Sequence, residues 1–128
     1  MKARIAAVLL TAFCSTPMSG CKDKTQAQEI ICTEEFRSAS LYVPGSPLSE
    51  CYTIRLSNSD TIRYSSNLDG QSGYYTVLND NYQPKLENQK DTFNFIGKRG
   101  NEIVVCQEYV FEADQCHITK ISGKSELK

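Results

Sequence analysis

From Ile30 onward the chain alternates short segments rich in Ile, Val, Thr, Tyr and Phe with clusters of Gly, Pro, Asn, Asp and Ser. β-branched and aromatic side chains fit a pleated surface, and the intervening residues are those that turns demand. The texture is that of an all-β domain. Strands are expected near residues 30–43, 51–57, 61–66, 73–78, 92–97, 102–111 and 116–121. Pro44-Gly45-Ser46-Pro47, Leu68-Asp69-Gly70-Gln71-Ser72-Gly73 and Lys98-Arg99-Gly100-Asn101 punctuate them. The weak helical candidate Asn81–Gln89 holds Pro84 in its middle, so it reads as a turn or a short 3₁₀ piece. About seven strands in a chain this short fit a two-sheet β-sandwich better than a barrel.

One hairpin can be argued by register. Thr53-Ile54-Arg55-Leu56 and Thr61-Ile62-Arg63-Tyr64 flank Ser57-Asn58-Ser59-Asp60. A two-residue turn would set Ile54 against Arg63, whereas an odd loop pairs Ile54 with Ile62 and Tyr52 with Tyr64. A loop of three or five residues is therefore expected, with Asn58 left-handed. Tyr52, Ile54, Leu56, Ile62 and Tyr64 would face inward, and Thr53, Arg55 and Arg63 the solvent. Cys51 would then lie on the outward parity. Ile103-Val104-Val105 is apolar on both parities, which marks a central strand.

The N-terminal segment has a different character. Lys2 and Arg4 precede the apolar run Ile5–Cys14, and Met18-Ser19-Gly20-Cys21 follows. The run is far shorter than the ~20 residues a membrane-spanning helix needs, so it reads as a secretory signal. The order resembles a bacterial lipoprotein leader ending in a lipobox. That resemblance implies cleavage after residue 20 and lipid, palmitate-type acyl chains included, on Cys21. Buried methylenes worth ~0.8 kcal/mol each would make the anchor effectively permanent. Lys22 behind the cysteine implies the outer membrane of a two-membraned bacterium. Residues 21–29 are polar and read as a flexible tether, and residues 30–128 as a single domain.

With the leader gone, 14 − 2 = 12 basic residues face 15 acidic ones, a net charge of −3. No basic stripe remains to form a nucleic-acid footprint. The six cysteines fall to four once Cys14 leaves with the leader and Cys21 carries lipid: Cys32, Cys51, Cys106 and Cys116. An even count in an oxidising compartment predicts two disulfides. A hairpin over residues 103–121, closed at Glu112–Gln115, sets Phe111 opposite Cys116 and Cys106 near Ile121. Cys106 and Cys116 are then too far apart along the ladder to bridge. Two pairings stay open: Cys32–Cys116 with Cys51–Cys106, or Cys32–Cys106 with Cys51–Cys116.

Catalytic and metal signatures are sparse. His117 is the only imidazole and abuts Cys116, which points to a structural role. Glu34 and Glu35 are adjacent strand residues aimed at opposite faces. No Cys-x-x-Cys, Ca²⁺-loop or phosphate-loop spacing occurs, so no metal or cofactor is expected. Tyr74-Tyr75 must place one ring on each face of its strand. The candidate binding residues are Tyr74, Tyr75, Asp69 and Ser46, on or beside the loops Pro44–Ser49 and Leu68–Gly73.

Ile31-Cys32-Thr33-Glu34-Glu35-Phe36-Arg37 and Asp114–Gly123 resemble a group of small lipoproteins of gut-type Bacteroidota, often Ig-like or transthyretin-like β-sandwiches. The resemblance implies a lipid-anchored sandwich whose first and last strands are stapled by Cys32 and Cys116; Cys51–Cys106, the second bridge of the preferred pairing, lies outside the resembled pattern and rests on strand parity alone. The expected role is a non-catalytic binding or structural module whose partners are the membrane, through its lipid, and a protein or envelope component. The alternative is an inhibitor of a secreted lysozyme or protease, which a rigid exposed loop would serve.

Overall fold

The computed structural model describes residues 29–69 and 72–128. The expected leader, Cys21 and the tether up to residue 28 lie outside the described residues, as do Gly70 and Gln71. Among the described residues seven strands form: β1 (Ser38–Tyr42), β2 (Glu50–Arg55), β3 (Thr61–Ile62), β4 (Tyr74–Asn79), β5 (Lys90–Arg99), β6 (Glu102–Ala113) and β7 (Ile118–Ser122). β1 and β4 make a two-stranded sheet, and the second sheet runs β3-β2-β5-β6-β7. Every pairing between these strands is antiparallel. A 3₁₀ turn (Asp80–Tyr82) and a single helical turn, α1 (Gln83–Leu86), lead into β5. Pro84 sits in the first turn of α1, where its missing N–H costs nothing.

The two sheets enclose one core. Phe93, Phe95, Tyr109 and Phe111 from the large sheet meet Leu41, Tyr75 and Val77 from the small one. Phe93 packs edge-on against both Phe111 and Tyr82, with centroids 5.5 and 5.9 Å apart. Such T-shaped contacts favour the ring quadrupoles beyond the area they bury. The Cys32–Cys116 disulfide joins the segment before β1 to the turn before β7. The result is the disulfide-stapled all-β sandwich that the sequence pattern calls for.

The first strand is shorter than expected. Ile30, Ile31 and Phe36 are exposed outside any strand, and β1 starts at Ser38. Residues 61–66 give only the two-residue β3 before a 3₁₀ turn at Ser65–Asn67. Asn67 explains that break: its side chain accepts from the Thr76 N–H at 2.7 Å and donates to the Thr76 carbonyl at 2.9 Å. The amide thereby acts as a surrogate strand along the outer edge of β4.

The β2–β3 hairpin corrects the expected register. Thr53 pairs with Ile62 and Ile54 with Thr61, and the Arg55 N–H donates to the Asp60 carbonyl at 2.9 Å. The loop is therefore the four residues Leu56–Ser59, and Ser59 rather than Asn58 is left-handed (φ 58°). Parity inverts with it for β2. Thr53 and Arg55 are buried at 1% and 7% exposure, Tyr52 and Ile54 lie half-buried on the outer face, and Leu56 is exposed. Ile62 packs against the core as expected. The inversion holds because each inward polar group has a partner. The Thr53 hydroxyl donates to the Val77 carbonyl of the opposite sheet at 2.6 Å, and Arg55 is satisfied by three acceptors. Outside, Tyr52 lies beneath the Arg63 guanidinium, 4.6 Å from the ring centroid.

The same parity decides the cysteines. Cys51 pairs with Gly97, and Gly97 with Val105, on the inner face. Cys106 pairs with Ile96, and Ile96 with Tyr52, on the outer face. Cys51 and Cys106 are both free, so the expected second bridge does not form. Two residues on opposite faces, with a strand between them, cannot bring their Cβ atoms together. Ile103 and Val104 also depart from expectation. They are exposed because β7 reaches only the Val110–Ala113 stretch of β6 and a bulge follows Gly97.

Candidate functional site

The loop Pro44–Ser49 and Gly73, the last residue of the second loop, meet at one end of the sandwich, because β1 ends where β4 begins: Tyr42 pairs with Tyr74 and the Val43 N–H donates to the Gly73 carbonyl. The Arg99 guanidinium, beside the β5–β6 turn, clamps the first loop. Its Nη2 donates to the Pro44 carbonyl at 2.7 Å and its Nε to the Ser46 carbonyl at 2.8 Å. Ser49 holds the far side by donating, through N–H and hydroxyl, to the Lys98 carbonyl. The loop tip is thus exposed while its flanks are fixed by these hydrogen bonds.

Tyr74 is 59% exposed and its ring leans on Tyr42, with centroids 5.1 Å apart. Tyr75 points the other way, into the core, where its hydroxyl accepts from the Leu48 N–H at 2.9 Å. Tyr75 therefore supports the loop rather than offering a surface. Ser46 and Asp69 are exposed on the two loops. Of the expected site residues, the fold brings Tyr74, Ser46 and Asp69 to one end and removes Tyr75 to the interior.

The opposite end carries an ordered polar network. Asp80 Oδ2 accepts from the Arg37 N–H and from His117 Nδ1, each at 2.7 Å, and Oδ1 accepts from the Ile118 N–H at 2.9 Å. His117 Nε2 lies 3.0 Å from the Thr33 hydroxyl. Burial raises the Asp80 carboxyl, but the hydrogen bonds outweigh it and hold the group below the usual range. Hydroxyl, imidazole and carboxylate in that order have the shape of an acyl-transfer relay. Such a relay also needs N–H donors free to receive an oxyanion. The nearby N–H groups of Arg37, Cys116, His117 and Ile118 are all taken by the Asp80 and Asp114 carboxylates. The constellation ties Thr33, Arg37, His117 and Ile118 together through Asp80 beside the Cys32–Cys116 disulfide.

A second polar cluster closes the same end. Arg55 donates to Asp91 Oδ2, to the Lys85 carbonyl and to Gln89 Oε1, at 2.6, 2.9 and 3.0 Å, and the Ser57 hydroxyl also donates to Asp91. Arg99 and Asp80 were not legible as site residues. Their partners lie 53 and 37 positions away for Ser46 and His117, beyond the reach of any local motif. No known protein family, curated protein or solved structure matches this chain.

Proposed function

We propose that this chain is a lipid-anchored protein of a bacterial outer membrane that acts as a non-catalytic binding module. The lipobox-like Met18-Ser19-Gly20-Cys21 supports the anchor and the compartment. The observation that carries the binding role is the Arg99-clamped loop Pro44–Ser49 beside the exposed Tyr74 ring, which leans on the half-buried Tyr42. A loop already fixed in shape loses little entropy on docking, and a Tyr ring gives large contact area at small rotamer cost. The test is capture from native membranes with the anchored protein as bait, alongside the mass of its mature N terminus. An acylated Cys21 and a partner lost on Tyr74→Ala are expected. A retained leader without acyl chains overturns the reading.

The clamped loop also favours a second reading, an inhibitor of a secreted hydrolase, because rigid exposed loops are what such inhibitors insert into an active site. Inhibition of a lysozyme or protease that Arg99→Ala abolishes would select it. Absence of inhibition across both enzyme classes would discard it.

A further inference from the structure

We infer that the slot between β1 and β7 receives an extended acidic peptide strand from a partner protein. The inference assumes the binding-module reading but concerns a different face from the clamped loop. The two strands lie side by side, in separate sheets, without pairing. They are pinned at both ends. At one end the Asp80 carboxylate bridges the N–H groups of Arg37 and Ile118. At the other, the chain after β7 adds to β1: the Tyr42 N–H donates to the Ser125 carbonyl and the Leu127 N–H to the Tyr42 carbonyl, both at 2.9 Å. Between the pins is a cavity of about 470 Å³ whose lining includes Arg37, Ser40, Lys120 and Ser125, with Glu35 as its one carboxylate against two cationic side chains. That is room for a short peptide segment.

The main chain of both strands offers that segment unmade hydrogen bonds. Peptide groups alternate between the two edges of a strand, and in antiparallel pairs every second residue bonds its partner. Val43 bonds Gly73 on the β4 side, so Leu41 does likewise and Ser40 does not. Thr76, opposite Ser40, confirms the alternation, because both its main-chain groups go to the Asn67 side chain. The Ser40 N–H and carbonyl therefore face the slot. Across it, the Ile118 N–H points away from β6 to Asp80, so the Lys120 N–H and carbonyl, two residues on, face the slot too. The contrast with β4 is instructive: that edge is closed by Asn67 and by the Tyr64 hydroxyl, which accepts from the Asn79 N–H at 3.1 Å. Strand addition to an open edge is an established mode of peptide recognition.

Charge selects the occupant. Asp80 already shows that a carboxylate suits the gap between the two edges. Lys120 has no acidic partner among the described residues and donates only to the Ser125 hydroxyl, while Arg37 shares Glu35 at 3.8 Å. A strand bearing a carboxylate would give Lys120 a counterion.

The test uses the full chain purified from membranes and three labelled, end-capped pentapeptides. These are Thr-Glu-Val-Glu-Thr, its main-chain N-methylated form, and Thr-Lys-Val-Lys-Thr. The first should bind saturably and shift the amide resonances of Ser40 and Lys120. N-methylation should abolish binding, the lysine peptide should not bind, and Lys120→Ala should weaken the acidic peptide about three- to tenfold. No binding, equal binding of all three peptides, or shifts confined to Pro44–Ser49 would overturn the inference. If the peptides fail while Cys21 is acylated and an envelope partner is still captured by the Lys120→Ala protein, the slot falls and the binding-module reading stands. A protein without acyl chains sinks the broader reading whatever the peptides do.

Discussion

Arg55 Nε donates to Asp91 Oδ2 at 2.6 Å, with both side chains almost wholly enclosed between α1 and the β2–β3 hairpin. The pair is what turns the polar parity of β2 inward. Removing one partner leaves the other charge buried alone, so Arg55→Ala or Asp91→Ala should cost about 3–5 kcal/mol of unfolding free energy. Arg55→Met together with Asp91→Leu should cost much less, since a filled apolar site needs no counterion. Burial works to raise the Asp91 carboxyl, yet the hydrogen bonds from Ser57 and Arg55 prevail and its pKa is lowered. A depressed carboxylate adds stability above the unfolded value near ~3.9, and that stability is lost as pH falls through the folded one. Urea midpoints should therefore fall below about pH 4 less steeply in the double variant than in the wild type.

The cysteines should report two unlike thiols and one bridge. A maleimide applied to the native protein should label Cys106, which is exposed, well before Cys51, which is half-buried and whose thiol is pushed up by burial. Peptide mapping reads both sites directly. Cys32→Ser should lower stability by about 4 kcal/mol on the chain-entropy model, because the bridge closes a loop across 84 positions.

Tyr109 predicts an alkaline limit. Its hydroxyl donates to the Lys124 carbonyl at 2.7 Å, and burial pushes its pKa up to about 12. A raised folded pKa means full stability below the unfolded value near ~10, then loss as pH climbs towards the folded one. Stability should therefore drop between about pH 10 and 12, and Tyr109→Phe should flatten that slope in chemical denaturation. Gly123 reinforces the site. At φ 125° it lies so close to Tyr109 that a Cβ would meet Cδ1 at 2.1 Å, so Gly123→Ala should destabilise by more than about 1 kcal/mol.

Asp80 should matter for stability and not for chemistry. Asp80→Ala strands the Ile118 N–H and the His117 ring, at about 1–3 kcal/mol for each enclosed group left unpaired, and frees the exposed Arg37 N–H to water. Asp80→Asn, which still accepts two of those bonds, should cost less. Thr33→Ala should leave the thermal midpoint nearly unchanged, and neither it nor the wild type should hydrolyse p-nitrophenyl acetate faster than buffer. A Thr33-dependent turnover would show that the relay is catalytic after all.

How far the chain could be read from its residues depends on the range of the interaction. Strand number, the turns at Pro44–Ser49 and Lys98–Asn101, and the weakness of any helix around Pro84 are local matters, settled by propensity and turn chemistry within a few positions. Which face of β2 turns inward was not local. Period-two hydrophobicity put Ile54 inside, but Thr53 found the Val77 carbonyl across the sandwich and Arg55 found Asp91, Lys85 and Gln89. A buried polar group is tolerated wherever tertiary partners satisfy it, and those partners lie 24–36 positions away.

Residue by residue, the chain specifies a β-rich, turn-punctuated domain. Contacts between distant segments keep Cys51 and Cys106 apart, stiffen an exposed loop through Arg99, and leave β1 and β7 at the edges of separate sheets. Propensity acts through each residue's own backbone, whereas register, face and edge exist only once distant strands have met.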